Sequence, residues 1–368
     1  MEESALRPKS GLPKRRPLRN IPRFSFGFRD NPVTASYRNP LIGRSLLSFN
    51  VRPIRTVSLF AGCGGFDIGI LGGFKYLDEL YKPLPFDIIG AYDIDTKAVE
   101  TYKLNIAENA EICDLAEIDI TTLPQADLLL GGFPCQDFSS SGLKLGLEGK
   151  RGRLYRVLVE YMRIHQPKIV IGENVPHFGR MYGGKILQTV LGELEETGYK
   201  FKVWDIHCPD FGLPQSRRRL FLVGVRNDIK NHLIRPVITH FMGYRSIDAA
   251  IDDLKHITDE TITNQSQYFV ATAATAGAGQ GDQISRRGEI AYTVRANAKA
   301  RIHFHYELPR RLTVRECARL QSFPDEFVFP HSAMNNMLQI GNAVPPIVAH
   351  HVGRSIVEFI EKINQIQP

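Results

Sequence analysis

Cys135 closes the run Gly131-Gly132-Phe133-Pro134-Cys135-Gln136, and a thiolate held behind such a turn is a strong nucleophile for an electrophilic carbon. The residues before it, Ala126 to Leu130, are almost continuously apolar, the pattern of a parallel strand covered on both faces. Chemistry in open α/β sheets gathers at the carboxyl ends of such strands. Two glycines allow the sharp turn, and Pro134 stiffens it. His165, His177 and His207 form no protease-like pattern with this cysteine. A second apolar run, Lys168 to Gly172, ends in Glu173-Asn174. A partly desolvated carboxylate there is more easily protonated and can hold a ring nitrogen and an exocyclic amine. Gln215, Arg217 and Arg219 alternate along a further strand and share one face, while Arg218 points away. Two cations on one side can hold phosphates or organise an acidic pocket.

Ser58-Leu59-Phe60-Ala61-Gly62-Cys63-Gly64-Gly65-Phe66 lies between a predicted strand and a predicted helix. Gly62 and Gly64 let a ligand approach the backbone. The run is neither GxGxxG nor a phosphate loop, whose Lys-Ser/Thr ending it lacks. Asp93 follows Gly65 by 28 residues, the place of a carboxylate that receives ribose hydroxyls. Asp114 is placed to take an adenine amino group, with Phe60 against the same ring. An adenosine-bearing ligand without a pyrophosphate, such as S-adenosylmethionine, fits this set. The glycine- and serine-rich loop from Asp137 to Arg153 carries Ser139, Lys144, Lys150 and Arg151. Its glycines suit a segment that closes over substrate, and its cations suit a phosphate backbone.

The elements that must position these groups alternate. Strands are predicted at Thr56 to Phe60, Phe86 to Ala91, Ala126 to Leu130 and Lys168 to Gly172. Helices are predicted from Asp67, at 97–107, at 153–165 and at Lys185 to Glu196. Phe201 to Ile206 and Arg219 to Val225 read as a closing strand pair. This order predicts a mostly parallel sheet with helices on both faces, a Rossmann-like α/β fold. The pattern breaks after about residue 226, so the chain divides into 1–52, a basic arm; 53–228, catalytic and cofactor-binding; 229–308, a second, smaller domain; and 309–368, returning to the first body through helices at Thr313 to Gln321 and Ile347 to Ile363.

Charge is unevenly spread. The chain has 368 residues and a formal charge of +7, yet residues 1–52 alone hold eleven lysines or arginines against three acids. The arm is therefore +8 and the rest about −1; net charge alone does not decide the partner, and the arm reads either as a solubilising tail or as help in gripping a polyanion. No run approaches the 18 or so apolar residues of a spanning helix, and the N-terminus lacks a secretory apolar stretch. Five cysteines include no CxxC pair, which points to reduced thiols and no metal.

With Glu173-Asn174-Val175, Gln215-Ser216-Arg217-Arg218-Arg219, Arg311 to Gln321 and Gln339-Ile340-Gly341-Asn342-Ala343-Val344-Pro345-Pro346, the Gly131 to Gln136 run completes five motifs in order. Together they resemble the DNA (cytosine-5) methyltransferases, from Thr56 to Val352. The resemblance implies that Cys135 adds to C6 of a flipped cytosine, that Glu173 binds N3 and the amino group, and that Arg219 with Arg217 steadies both. It assigns Phe60, Gly62, Gly64, Asp93, Asp114, Asn342 and Val344 to the S-adenosylmethionine pocket. It makes residues 229–308 the target-recognition domain and the Arg311 to Gln321 motif structural, with Cys317 a packed helix residue. Ser139, Lys144, Lys150, Arg151, Gln215, Arg286, Arg287, Thr293 and Arg295 are the expected DNA contacts. Ser58 and Asp93 depart from the pattern, since many members carry an acid and a glutamate there. The implied protein is a prokaryotic, cytoplasmic, monomeric modification enzyme acting on double-stranded DNA, with a restriction endonuclease as possible counterpart. A transfer RNA methylating relative and a silent DNA-binding relative are the alternatives.

Overall fold

The computed structural model describes residues 52–134, 154–257, 283–296 and 303–366. Its centre is a seven-stranded sheet. Strand β1 (Ile54–Leu59) precedes a short hairpin, β2 (Phe74–Tyr76) and β3 (Glu79–Tyr81), and then β4 (Phe86–Asp93), β5 (Ala110–Ile112), β6 (Leu128–Gly131), β7 (Ile169–Asn174), β8 (Tyr199–His207) and β9 (Arg218–Arg226). The sheet order is β5-β4-β1-β6-β7-β9-β8. The first five of these are parallel, whereas β9 runs antiparallel to both β7 and β8. Two-residue β10 (Gln283–Ile284) and β11 (His303–Phe304) pair separately.

Side-chain alternation explains the layers. Leu128 and Leu130 of β6, with Ile169 and Ile171 of β7, face one core. Leu129 and Val170 face the other, with Val57 and Leu59. Each such buried side chain contributes roughly 1.5–3 kcal/mol, which is why these strands read as unbroken apolar runs. Helices α3 (Tyr155–His165) and α5 (Lys185–Glu195) supply residues such as Leu158 and Val190 to the second core. Helix α1 (Gly65–Leu71) and the long α9 (Pro346–Ile366) cover the first. They approach so closely that a Cβ on Gly69 would lie 2.3 Å from Ala349 Cβ. Helix α2 (Thr96–Asn105) begins on Asp95, whose carboxylate accepts from the Lys97 and Ala98 amides.

The chain beyond β9 shares the first core through Ala291, Val294, Leu312 and Phe323. After the short α4 (Pro176–Arg180) and α6 (Ile247–Ile251) comes α7 (Val314–Leu320), opened by a reciprocal cap between Thr313 and Glu316. Arg310 donates to both Glu316 oxygens at 2.7 and 2.8 Å. Arg315 donates to the Pro324 and Phe327 carbonyls, and Arg319 reaches Asp325, Asp253 and the Ala250 carbonyl. The arginines of this motif thus stitch α7 to α6 and to the following loop, and Cys317 is packed at 1% exposure. Helix α8 (Ala333–Asn342) then leads into α9. The hairpin, α4 and α8 are elements that the sequence patterns did not predict. Among the described residues no helix is long and apolar enough to cross a membrane.

Candidate active site

From β1 the chain runs outward through β4 to β5 and then crosses back to β6 on the other side of β1, so the strand order reverses between β1 and β6. A crevice opens at the carboxyl ends of strands at such a point. A cavity of about 530 Å³ occupies it, within the range of small-molecule sites. It runs from the turn after β1, past the ends of β6 and β7, to Thr293–Ala296 and Gly341–Val344.

The turn is held open by backbone geometry. Phe60 has φ 58, a left-handed conformation that costs an aromatic residue about 1–3 kcal/mol and marks a constrained site. Gly62 has φ 57, and nothing lies within 4 Å of where its Cβ would project; the space is a cradle for a ligand. Asp93 fixes this turn, accepting from the Gly62 amide at 2.7 Å and the Asp95 amide at 2.9 Å. Burial raises its pKa, against the lowering pull of those two amides. Ile94 is 65% exposed and lines the cavity beside Asp93. With Phe60 it offers apolar surface to a flat ring, and its position directly after Asp93 was the overlooked signal. A carboxylate, an open glycine cradle and apolar faces suit an adenosine-bearing ligand.

Not every expected pocket residue is there. Gly64 caps α1 with φ 87, and its Cβ would strike Ile106 and Tyr102, so it serves packing. Asp114 is exposed, accepts from the Ala116 amide and is not among the cavity-lining residues. Asn342 and Val344 do line the cavity; a Cβ on Gly65 would come within 2.6 Å of the Val344 carbonyl oxygen.

At the ends of β6 and β7 the wall becomes polar. Glu173 is 8% exposed, and its Oε1 lies 2.7 Å from Arg219 Nε. The N–H is not aimed along that line, so the two form an ion pair while each atom lacks a hydrogen-bond partner. Burial pushes the Glu173 carboxyl above the ordinary range, and Arg219 and then Arg217 pull it partly back. The result is a carboxyl more readily protonated than an exposed glutamate, held in an ion pair at the cavity wall. Asn174 donates to the Phe133 carbonyl at 3.1 Å and accepts from the Val175 amide. It thereby fixes the Phe133-Pro134 turn that leads into Cys135. Pro134 lines the cavity; Cys135, Ser139, Lys144, Lys150 and Arg151 lie outside the described residues.

Arg217 also lines the cavity, but its guanidinium is turned to backbone. It donates to the carbonyls of Val294, Gly341 and Ala343. Gln215, expected at DNA, is instead fully buried, bonded to the Leu320 carbonyl, the Gln321 side chain and the Val294 amide. Arg286 is exposed and faces Glu289. Arg287 is surrounded by Asp248, Asp252 and Glu307, a poor setting for a phosphate. Thr293 and Arg295 line the cavity, and the Thr293 hydroxyl donates to the Ser216 carbonyl.

A family model described as C-5 cytosine-specific DNA methylase matches residues 54–276 and 248–358. The chain belongs to that family. Its reaction is therefore methylation of DNA cytosine at C5, with S-adenosylmethionine as the donor the family implies. Type II methyltransferase M1.ScrFI of Lactococcus lactis subsp. cremoris is 30% identical over 84% of this chain and 79% of its own length. M.NgoFVII of Neisseria gonorrhoeae is 29% identical, over 82% and 86%. Among solved structures, the Dnmt2 methyltransferase of S. pombe superposes with a TM-score of 0.64 at 20% identity, covering 84% of this chain and 99% of that one; this likeness supports the fold.

Proposed function

We propose that Cys135 is the nucleophile and Glu173 its acid partner in methylating a cytosine turned out of duplex DNA. The observation that carries this reading is the buried Glu173 carboxyl, paired with Arg219 and opening onto the same cavity as the Asp93–Gly62 turn. When bound, S-adenosylmethionine supplies an electrophilic methyl on a sulfonium and departs as the thioether. Phe60, Gly62, Asp93, Ile94, Asn342 and Val344 would hold it. The Cys135 thiolate forms a bond to C6, and the C5=C6 electron pair moves to C5 as Glu173 protonates N3. Carbon 5 then takes the methyl. Removal of the C5 proton by a base re-forms the double bond and expels the thiolate, and N3 returns its proton to Glu173. Arg219 holds Glu173 in place and counters charge on the ring. The base has to leave the stack because C5 and C6 are blocked within it.

Residues 53–228 then form the catalytic body, 229–308 the recognition region and 309–368 the return. Thr293 and Arg295 are the described residues best placed to meet the target, with Ser139, Lys144, Lys150 and Arg151 on the preceding loop as phosphate contacts. Each chain carries a whole set of sites, which favours a monomer, and the type II relatives favour a modification enzyme matched to an endonuclease. Incubation with labelled S-adenosylmethionine and either mixed-sequence duplex or transfer RNA decides the substrate. Label on duplex C5, its loss in Cys135→Ser, and a covalent adduct with 5-fluorocytosine duplex are expected. Transfer to the cytosine amino nitrogen, or to transfer RNA alone, would defeat the reading.

A further inference from the structure

Two walls of the cavity come from distant parts of the chain, Thr293–Ala296 on the target side and Gly341–Val344 on the cofactor side. One buried guanidinium holds both. Arg217, at 1% exposure, donates through Nη1 to the Val294 carbonyl at 2.9 Å. Through Nη2 it donates to the Gly341 and Ala343 carbonyls at 2.8 and 3.0 Å. A second contact joins the same segments without Arg217: a Cβ on Gly341 would lie 2.2 Å from the Ala296 amide nitrogen and 2.3 Å from the Arg295 carbonyl carbon. Gln215 and Gln321 close the knot from behind. Gln215 accepts from the Val294 amide and donates to the Gln321 side chain, which in turn donates to the Ala343 carbonyl.

We propose that Arg217 is a positioning residue which couples the two ligand sites, so that filling the methyl-donor site tightens the target-base site through the shared fork. This rests on the cofactor and base sites proposed above, and it replaces the direct substrate role expected for Arg217 from sequence. A planar fork can bond carbonyls in two directions at once; a lysine ammonium keeps the charge but cannot reproduce that geometry. Displacement of Gly341–Ala343 by a bound ligand is passed to Val294 by the same guanidinium and by direct contact at Gly341. Linked binding is reciprocal, so either ligand reports it.

The test is the Kd of a fluorescently labelled duplex carrying the mapped methylation site, measured without and with saturating S-adenosylhomocysteine. For the unaltered enzyme the ratio is expected at roughly 5–150-fold, the span of coupled sites. Arg217→Lys should cut that ratio by about fivefold or more, with the direct Gly341 contact carrying what is left. Gly341→Ala, which wedges the walls apart from the other side, should do the same. Arg218→Lys alters only the surface pair with Asp205 and should keep the full ratio. Equal weakening of both affinities with an unchanged ratio in Arg217→Lys would overturn the proposal, as would a ratio of one in the unaltered enzyme. If Arg217→Lys fails to fold, an unchanged ratio in Gly341→Ala overturns it alone. Failure of S-adenosylhomocysteine to bind the unaltered enzyme would instead remove the cofactor reading beneath it.

Discussion

Asp67, just behind the turn after β1, carries the sharpest pH-dependent prediction. It sits in the first turn of α1 with no exposed surface. Ser58 from β1 and Tyr102 from α2 face it and favour its charge, but burial outweighs both and its pKa is pushed up to about 7 from 3.8. No short, well-formed hydrogen bond reaches either carboxyl oxygen. Holding such a group charged costs up to about 4 kcal/mol, at 1.36 kcal/mol per pKa unit; the positive end of α1 makes that a ceiling. Below about pH 4 folded and unfolded chains both bind the proton. Between about pH 4 and 7 only the folded chain keeps it, so stability falls by about 1.4 kcal/mol per pH unit, and above pH 7 the loss is complete. The neutral amide introduced by Asp67→Asn resembles the protonated acid and lacks this slope. The variant should gain on the unaltered protein by about 2 kcal/mol between pH 5.5 and 8.5. Equilibrium urea unfolding can be followed through Trp204, the sole tryptophan, which β8 buries. Parallel stability curves for the two proteins across that range would refute the reasoning.

Glu173→Gln should lower methyl transfer by about 10²–10⁴ and remove the fall in turnover with rising pH that an acid with a raised pKa imposes; a pH–rate profile checks both. Gly65→Ala should weaken S-adenosylhomocysteine binding and destabilise the fold by about 1–3 kcal/mol, because its Cβ meets the Val344 carbonyl; calorimetric titration and thermal melts read these. Glu316→Ala removes the carboxylate that buried Arg310 pairs with and the half of the α7 cap that accepts from the Thr313 amide, and should cost about 3–5 kcal/mol in unfolding experiments.

The central strands were readable because β6 and β7 are buried on both faces, which leaves no room for polar residues between the apolar ones. The glycine turn and the Glu173 strand end were readable for the same reason, since the strands before them are so plain. The hairpin of β2 and β3 has three residues per strand, too few for alternation to register. Strand alternation predicted one shared face for Gln215, Arg217 and Arg219, but β9 begins only at Arg218, and Leu320, Gln321 and Val294 from remote segments enclose Gln215. Arg287 read as a DNA contact because its acidic neighbours, Asp248, Asp252 and Glu307, come from remote segments. For Asp114, spacing gave a distance along the chain and not the direction in which the loop turns after β5, where the side chain is exposed and accepts from the Ala116 amide.

The backward course of β9 has a consequence for how an enzyme of this kind can be built. A parallel strand delivers only its last residues to the working edge of the sheet. Because β9 is reversed, it delivers its first, and Arg219 arrives level with the final residues of β7, where Asn174 pairs with Leu220 and Glu173 with Phe221. Were β9 threaded the other way, Arg226 would come to that edge and Arg219 would stand at the far end of the sheet. The cation beside the Glu173 carboxyl is thus a product of chain direction, and lengthening or shortening β9 at its far end leaves that pairing untouched.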